Sequence, residues 1–341
     1  MTAVLEHNGY RRPGAPGLAA APSPLPVVGA EPPELTVAEV ADLGGRLRSS
    51  VRAGVRLPEP VLDVVLAVLL AGGHLLVEDH PGVGKTQLAR SLAHSLGGRF
   101  ARVQATVDLL PADIVGASIW QPDSASFQFR PGPLFANVVL VDELNRATPK
   151  TQSGLLEAMQ EGQVTVDGHS WPLPQPLVVL ATQNPSAGDD GTYRRPPAQL
   201  DRFLARVSLG YTSAAQEVEL LRGGLQPPAA AVCSPAELLA AQQATARGHA
   251  ADALLGYLVG VLAATRAHPL AEVGASPRAG LQLLAAARAH AALQGRGFVV
   301  PDDVQVLAQP VLAHRIQPVA TAAADASARV VADAIAQVPA R

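Results

Sequence analysis

His80-Pro81-Gly82-Val83-Gly84-Lys85-Thr86 is a glycine-rich turn that ends on a cation and a hydroxyl. Farther along, Val138-Val139-Leu140-Val141-Asp142-Glu143 is an apolar run that ends in two carboxylates. Gly82 and Gly84 allow backbone conformations that other residues resist, so successive N–H groups can converge on phosphate oxygens. Lys85 supplies a point charge for the β- and γ-phosphates, and the Thr86 hydroxyl can ligate magnesium. A helix expected over Thr86 to Leu96 adds its positive end to the anion site. The expected nucleoside triphosphate-binding segment is His80, Pro81, Gly82, Val83, Gly84, Lys85, Thr86 and Gln87.

The loop departs from the G-x-x-x-x-G-K-S/T pattern at its first position, where Asp79 replaces glycine. Taken alone it could be an ordinary strand-to-helix turn. The context is the one the motif requires: His74-Leu75-Leu76-Val77-Glu78 reads as a short buried strand before it, and a helical pattern follows.

Val138 to Val141 reads as a central parallel strand. Asp142 at its end would hold magnesium through water, and Glu143 could polarise an attacking water as general base. Two adjacent carboxylates could also open a helix near Asn145. Val178 to Asn184 is a second apolar strand ending in a polar amide; Asn184 could orient the lytic water, or Asn184-Pro185 could be a simple turn.

Composition sets the bounds. The 341 residues allow one large or two modest domains, and 48% hydrophobic against 16% charged residues can fill a sizeable core. A net charge of −3 gives no electrostatic reason for tight nucleic-acid binding. The single cysteine, Cys233, reads as a small apolar residue in a loop. Pro and Gly interrupt every apolar stretch of the N-terminus, and the run Val61 to Ala71 is too short for a membrane span, so a cytoplasmic protein is expected.

Along the chain, residues 1–34 read as a disordered tail rich in Pro, Ala and Gly. Thr36-Val37-Ala38-Glu39 is a capping box opening the first helix, and a second helix starts near Pro60. Strands and helices then alternate, giving an α/β core with a mainly parallel sheet over 35–212. Ile119 to Phe129 and Gln163 to Trp171 read as hairpin insertions, with Asp167-Gly168 in a tight turn and both Trp120 and Trp171 in cross-strand packing. From Ser213 onward only helical patterns occur, so 213–341 is expected to be an all-helical domain.

The ordered set Gly82-Val83-Gly84-Lys85-Thr86, Asp108-Leu109-Leu110-Pro111, Gly132-Pro133-Leu134-Phe135, Asp142-Glu143-Leu144-Asn145-Arg146-Ala147, Ala181-Thr182-Gln183-Asn184-Pro185, Leu200-Asp201-Arg202-Phe203 and Ala275-Ser276-Pro277-Arg278-Ala279 resembles the MoxR family of AAA+ ATPases. The resemblance implies an αβα P-loop core followed by a helical lid. It also implies an ATP-hydrolysing hexameric ring, using ATP and Mg2+, that remodels or activates proteins, often with a von Willebrand factor A domain partner. Arg202 matches the family's arginine finger, Arg278 its sensor 2 arginine and Asn184 its sensor 1 residue. Arg146, Arg194 and Arg195 are further candidates for the subunit interface. A metal-chelatase motor subunit and a DNA-translocating motor remain as rivals. The Gln163 to Trp171 hairpin carries no Lys or Arg, which argues against phosphate tracking.

Overall fold

The computed structural model describes residues 34–80, 82–184, 200–211, 214–223, 230–323 and 325–340. The expected tail over 1–34 therefore lies outside the described residues except for Glu34, and Pro81, Pro185, Arg194 and Arg195 lie outside them too.

Helix α1 (Val37–Gly54) opens as its capping box requires: the Glu39 N–H donates to Thr36 Oγ1 at 3.3 Å, and the Thr36 N–H donates to Glu39 Oε2 at 2.8 Å. Helix α2 (Glu59–Leu70) takes Pro60 in its first turn and is buried along most of its length. Five strands follow in a wholly parallel sheet: β1 (Leu75–Glu78), β2 (Phe100–Gln104), β5 (Val138–Asp142), β8 (Val178–Gln183) and β9 (Ala205–Val207), in spatial order β2-β5-β8-β1-β9. Helix α3 (Lys85–Ser95) follows β1, and helices α4 (Pro111–Val115) and α5 (Pro149–Glu161) lie between later strands.

Side chains alternate across each strand and divide the interior into two cores. Leu75, Val77, Val138, Leu140, Val178 and Leu180 face α1, α2 and α3. Leu76, Val139, Val141, Val179 and Ala181 face the opposite layer, with Leu155 and Met159 of α5. The result is a three-layer αβα body. His74 fastens its centre: Nδ1 accepts from the Val179 N–H and Nε2 donates to Met159 O, both at 3.2 Å. Burial pushes its pKa down to about 4, so the ring is neutral, as this donor–acceptor pairing requires.

Both hairpins are present, as β3 (Gly116–Gln121) with β4 (Ser126–Pro131) and β6 (Gln163–Val166) with β7 (His169–Pro172). Asp167 and Gly168 have φ of +50° and +76°, the left-handed pair of a two-residue turn. Trp120 packs edge-on against its cross-strand partner Phe127, 5.2 Å between centroids. Trp171 instead finds its aromatic partner on the other hairpin, stacked at 4.6 Å on Phe129. The cross-strand expectation thus holds for Trp120, while Trp171 joins the two insertions.

The C-terminal region contains α6 (Ala214–Gly223), α7 (Pro235–Ala246), α8 (Asp252–Ala267), α9 (Pro277–Leu293), α10 (Pro301–Leu312) and α11 (Ala326–Gln337). It is not wholly helical: β10 (Ala271–Val273) pairs antiparallel with β11 (Gln317–Pro318). Strands of three and two residues are too short to show an alternating pattern, which is why the sequence conceals them. The helices α7 to α11 share one continuous core with α1, α2 and α3. Cys233 sits in this interior before α7, and burial pushes its thiol pKa up to about 12. No helix among the described residues is long and apolar enough to cross a membrane.

Asp303 is the most deeply embedded charge of this region, with no exposed surface. It accepts from Arg296 Nη2 at 2.6 Å and Nη1 at 2.8 Å, from His290 Nδ1 at 2.7 Å and from the Val300 N–H at 2.8 Å. Burial opposes ionisation, but the hydrogen bonds from Arg296, His290 and Val300 outweigh it and hold the pKa at about 2. A folded-state pKa below the ordinary 3.8 stabilises the fold fully above that ordinary value and loses its effect as pH falls toward 2. Urea titration should therefore show the contribution lost between about pH 4 and 2, and Asp303→Ala should destabilise by about 3 kcal/mol at neutral pH. A variant as stable as the parent would remove Asp303 from the supports of the fold.

Candidate nucleotide-binding site

The carboxyl ends of the parallel strands carry the candidate chemistry. Between β1 and α3, Gly82 has φ +88° and Gly84, the N-cap of α3, has φ +98°. Both values lie where only glycine is free of strain, and a Cβ at Gly82 would point into open space. Lys85 donates from Nζ to Asp79 O and His80 O, each at 2.8 Å. Burial lowers its pKa, and Asp79, Asp142 and Glu143 act on it in the opposite direction, which places all three carboxylates within electrostatic reach of the ammonium. Thr86 and Gln87 occupy the first turn of α3, Val83 packs against the core, and His80 stacks on Tyr211 at 6.4 Å.

Asp142 ends β5 and is buried. Arg102 Nε lies 2.7 Å from its Oδ2, and Thr182 Oγ1 donates to its Oδ1 at 3.3 Å. Glu143 has φ +55°, an uncommon conformation for a residue with a side chain, and its N–H donates to Thr182 Oγ1 at 3.0 Å. Its Oε2 accepts from Gln104 Nε2 at 3.3 Å and pairs with Arg146 Nε at 3.0 Å. A 3-10 turn over Leu144–Arg146 follows, so the strand-end and helix-start readings of the two carboxylates describe adjacent parts of one turn. Asn184 follows β8 at the same edge, half-buried. Thr182, Arg102 and Gln104 were not singled out in the sequence. For the last two, alternation along β2 beside β5 was the available signal.

Asp79 accounts for its own departure from the glycine pattern. Oδ1 accepts from the His80 N–H at 2.9 Å, and Oδ2 accepts from Ser208 Oγ at 3.0 Å and from the Gly210 N–H at 2.8 Å. Burial works against the carboxylate, but these bonds keep its pKa below the ordinary range. The phosphate loop is thereby fixed to the chain that leaves β9.

Arg202 lies elsewhere. Strand β9 runs parallel to β1 with Ala205 opposite Leu75, and the Leu204 N–H continues the ladder to His74 O at 2.8 Å. Residues 201–204 therefore stand at the amino edge of the sheet, while the phosphate loop follows Glu78 at the carboxyl edge. Four residues of β1 at about 3.3 Å each separate the two by roughly 13 Å. Arg202 borders an open groove with Glu157, Gln160, Glu161 and Gln163. Arg278 is at this same edge, its Nε 3.6 Å from Asp201 Oδ2. Arg278, matched to the sensor 2 arginine, thus stands beside Asp201 at the edge of the sheet opposite the phosphate loop. Arg146, offered as an interface residue, pairs with Glu143 of its own chain.

Asp79→Ala should leave two N–H groups and a hydroxyl without their acceptor, at about 1–3 kcal/mol, and should weaken ATP binding. Urea denaturation and ATP titration of the purified variant measure both; unchanged values would show the carboxylate to be idle.

Residues 74–205 match the ATPase family associated with various cellular activities, and residues 263–337 match the AAA lid domain. YeaC of Bacillus subtilis, described as uncharacterized, is 46% identical over 259 residues, covering 74% of this chain and 79% of YeaC. Chaperone MoxR1 of Mycobacterium tuberculosis is 40% identical over 321 residues, 91% of this chain and 83% of its own. A crystal structure of a protein from Cytophaga hutchinsonii, described by its similarity to ATPases, superposes with a TM-score of 0.81 at 32% identity, covering 89% of this chain and 96% of that one. Similarity of this extent, running through the phosphate loop and both ends of the sheet, places the chain in the MoxR family of AAA+ ATPases, as an enzyme that binds and hydrolyses ATP.

Proposed function

We propose that the protein is a cytoplasmic, magnesium-dependent AAA+ motor that assembles as a hexameric ring and remodels or activates partner proteins. One observation carries the shared-site part of this proposal: Arg202 and the phosphate loop stand at opposite ends of adjacent strands. An arginine so placed cannot reach the phosphates bound by its own chain, but it can complete the site of a neighbour. Arg278, beside Asp201, is placed for the same task. The αβα core spans 35–212 and the lid 213–341 in this proposal; α1 packs on α3 and on the lid helices α7 and α9, and α2 packs on α7 and α9.

Within the segment His80 to Gln87, Lys85 and the N–H groups of Gly82 to Thr86 hold the phosphates, and Gln87 lies in the first turn of α3. The residues present fit magnesium: a buried carboxylate, Asp142, stands at a strand end within electrostatic reach of Lys85, and the Thr86 hydroxyl opens the adjoining helix. Thr86 and Asp142 would hold the ion, which would supply positive charge against that developing on the phosphoryl group. Glu143 draws the proton from the attacking water, and Asn184 orients that water. Arg202 from the neighbour stabilises the transferring phosphoryl charge.

The name of the mycobacterial relative, Chaperone MoxR1, supports protein remodelling as the task. Family resemblance supports a von Willebrand factor A domain partner. Nothing comparable supports the chelatase and DNA-translocation alternatives, and the hairpin β6–β7 carries no Lys or Arg.

Lys85→Ala should abolish ATP binding. Glu143→Gln should bind ATP normally and lose turnover by a factor of about 10²–10⁴, because only the base is removed. Phosphate release alongside nucleotide titration tests both, and near-native turnover in Glu143→Gln would overturn the assignment.

Arg202→Ala should bind ATP and lose about 10³ or more in kcat. Mixed with Lys85→Ala, it should regain activity, since a mixed ring can join an intact phosphate loop to an intact arginine. The absence of rescue in rings shown to exchange subunits would count against the shared site.

A further inference from the structure

The 3-10 turn Ala313–Arg315 that closes helix α10 is buried, and neither His314 nor Arg315 has a part in the chemistry above. The Arg315 side chain, 3% exposed, reaches out of the C-terminal region into residues 201–204. Its Nε donates to Asp201 Oδ1 at 2.8 Å, Nη2 to Phe203 O at 2.6 Å and Nη1 to Leu204 O at 3.2 Å. Gln282 Oε1 accepts a further bond from Nη2, and Gln282 Nε2 donates to Asp201 O at 3.3 Å. His314 adds a bond from Nε2 to Phe203 O at 3.1 Å.

The segment held in this way is the one that carries Arg202. Its neighbour Phe203 is fully buried, so the backbone on one side of Arg202 is fixed by packing and by Arg315 together. On the other side, Asp201 gives one carboxylate oxygen to Arg315 and approaches Arg278 with the second. One buried guanidinium thus sets both the turn under Arg202 and the carboxylate beside Arg278. A planar fork with several donors suits such a task; an ammonium of equal charge cannot satisfy the same acceptors at once.

We propose that Arg315 is a positioning residue for ATP hydrolysis, which fixes Asp201 and residues 202–204 so that Arg202 and Arg278 stand where a neighbouring protomer's site needs them. The proposal rests on Arg202 acting in trans. Its consequence is directional: a defect at Arg315 lies in what a protomer donates, while the protomer's own phosphate loop stays intact.

Arg315→Lys keeps the charge and most of the stem and loses the fork. Misplacement of a catalytic group by about 1 Å lowers rates by up to about 10²-fold, so kcat should fall about 10- to 100-fold. The KM for ATP should stay within about twofold, because binding groups are untouched. Mixed with Lys85→Ala, which donates an intact Arg202, Arg315→Lys should recover turnover; mixed with Arg202→Ala it should not. A purely structural role would lower kcat with no recovery in the first mixture.

Three results would overturn the proposal: unchanged kcat in Arg315→Lys, a defect mainly in KM, or no recovery with Lys85→Ala. The parallel mixture of Arg202→Ala with Lys85→Ala separates the causes. If that mixture recovers and Arg315→Lys does not, Arg315 acts on its own site and the shared site stands. If neither recovers, the trans role of Arg202 falls and this proposal with it. Should Arg315→Lys fail to fold, Gln282→Met enters the same scheme, with a several-fold loss of kcat and the same direction of rescue expected.

Discussion

The parallel pairing of β1 with β9 is the constraint on which the rest of the molecule depends. With Ala205 set against Leu75, the chain enters β9 at one edge of the sheet and leaves it at the other. The entering segment carries Arg202, and the departing segment touches the phosphate loop. Ala205 and Val207, buried in the core under the sheet, hold the strand between these two ends.

Polar contacts secure each end. At the carboxyl edge Asp79 ties its loop to Ser208 and Gly210, and Arg206 of β9 pairs with Glu78 of β1 at 2.9 Å. At the amino edge Arg315 and His314 grip the backbone of Phe203 and Leu204. Buried polar groups that lose a partner are costly, so these contacts favour one geometry at each end. Strand β9 therefore joins the phosphate loop to the segment that carries Arg202.

The helices arrange themselves around the same strand. α2 and α10 both pack against β9, and α9 crosses α1 and α2. Leu62, Leu66 and Leu69 of α2 belong to the same core as Leu283 of α9 and Leu307 of α10. The C-terminal region is thus seated on the first two helices as well as on the sheet. Arg278, at the start of α9, takes its position from that seating and not from the phosphate loop.

By itself the sequence determined everything governed by neighbours in the chain. The phosphate loop depends on glycines at fixed positions. Continuous apolar runs gave β5 and β8, Thr36 capped α1, and Asp167-Gly168 closed its hairpin. Such features rest on backbone conformation and short-range hydrogen bonds, which a local pattern records. Tertiary structure alone decided the placement of Arg278, the use of Asp79 as an anchor, the pairing of Arg102 with Asp142 and the grip of Arg315 on residues 201–204. These contacts join residues far apart in the chain, as with the 114 positions between Asp201 and Arg315. No periodicity encodes a partner at that distance; it is fixed only when the sheet register brings the two segments together.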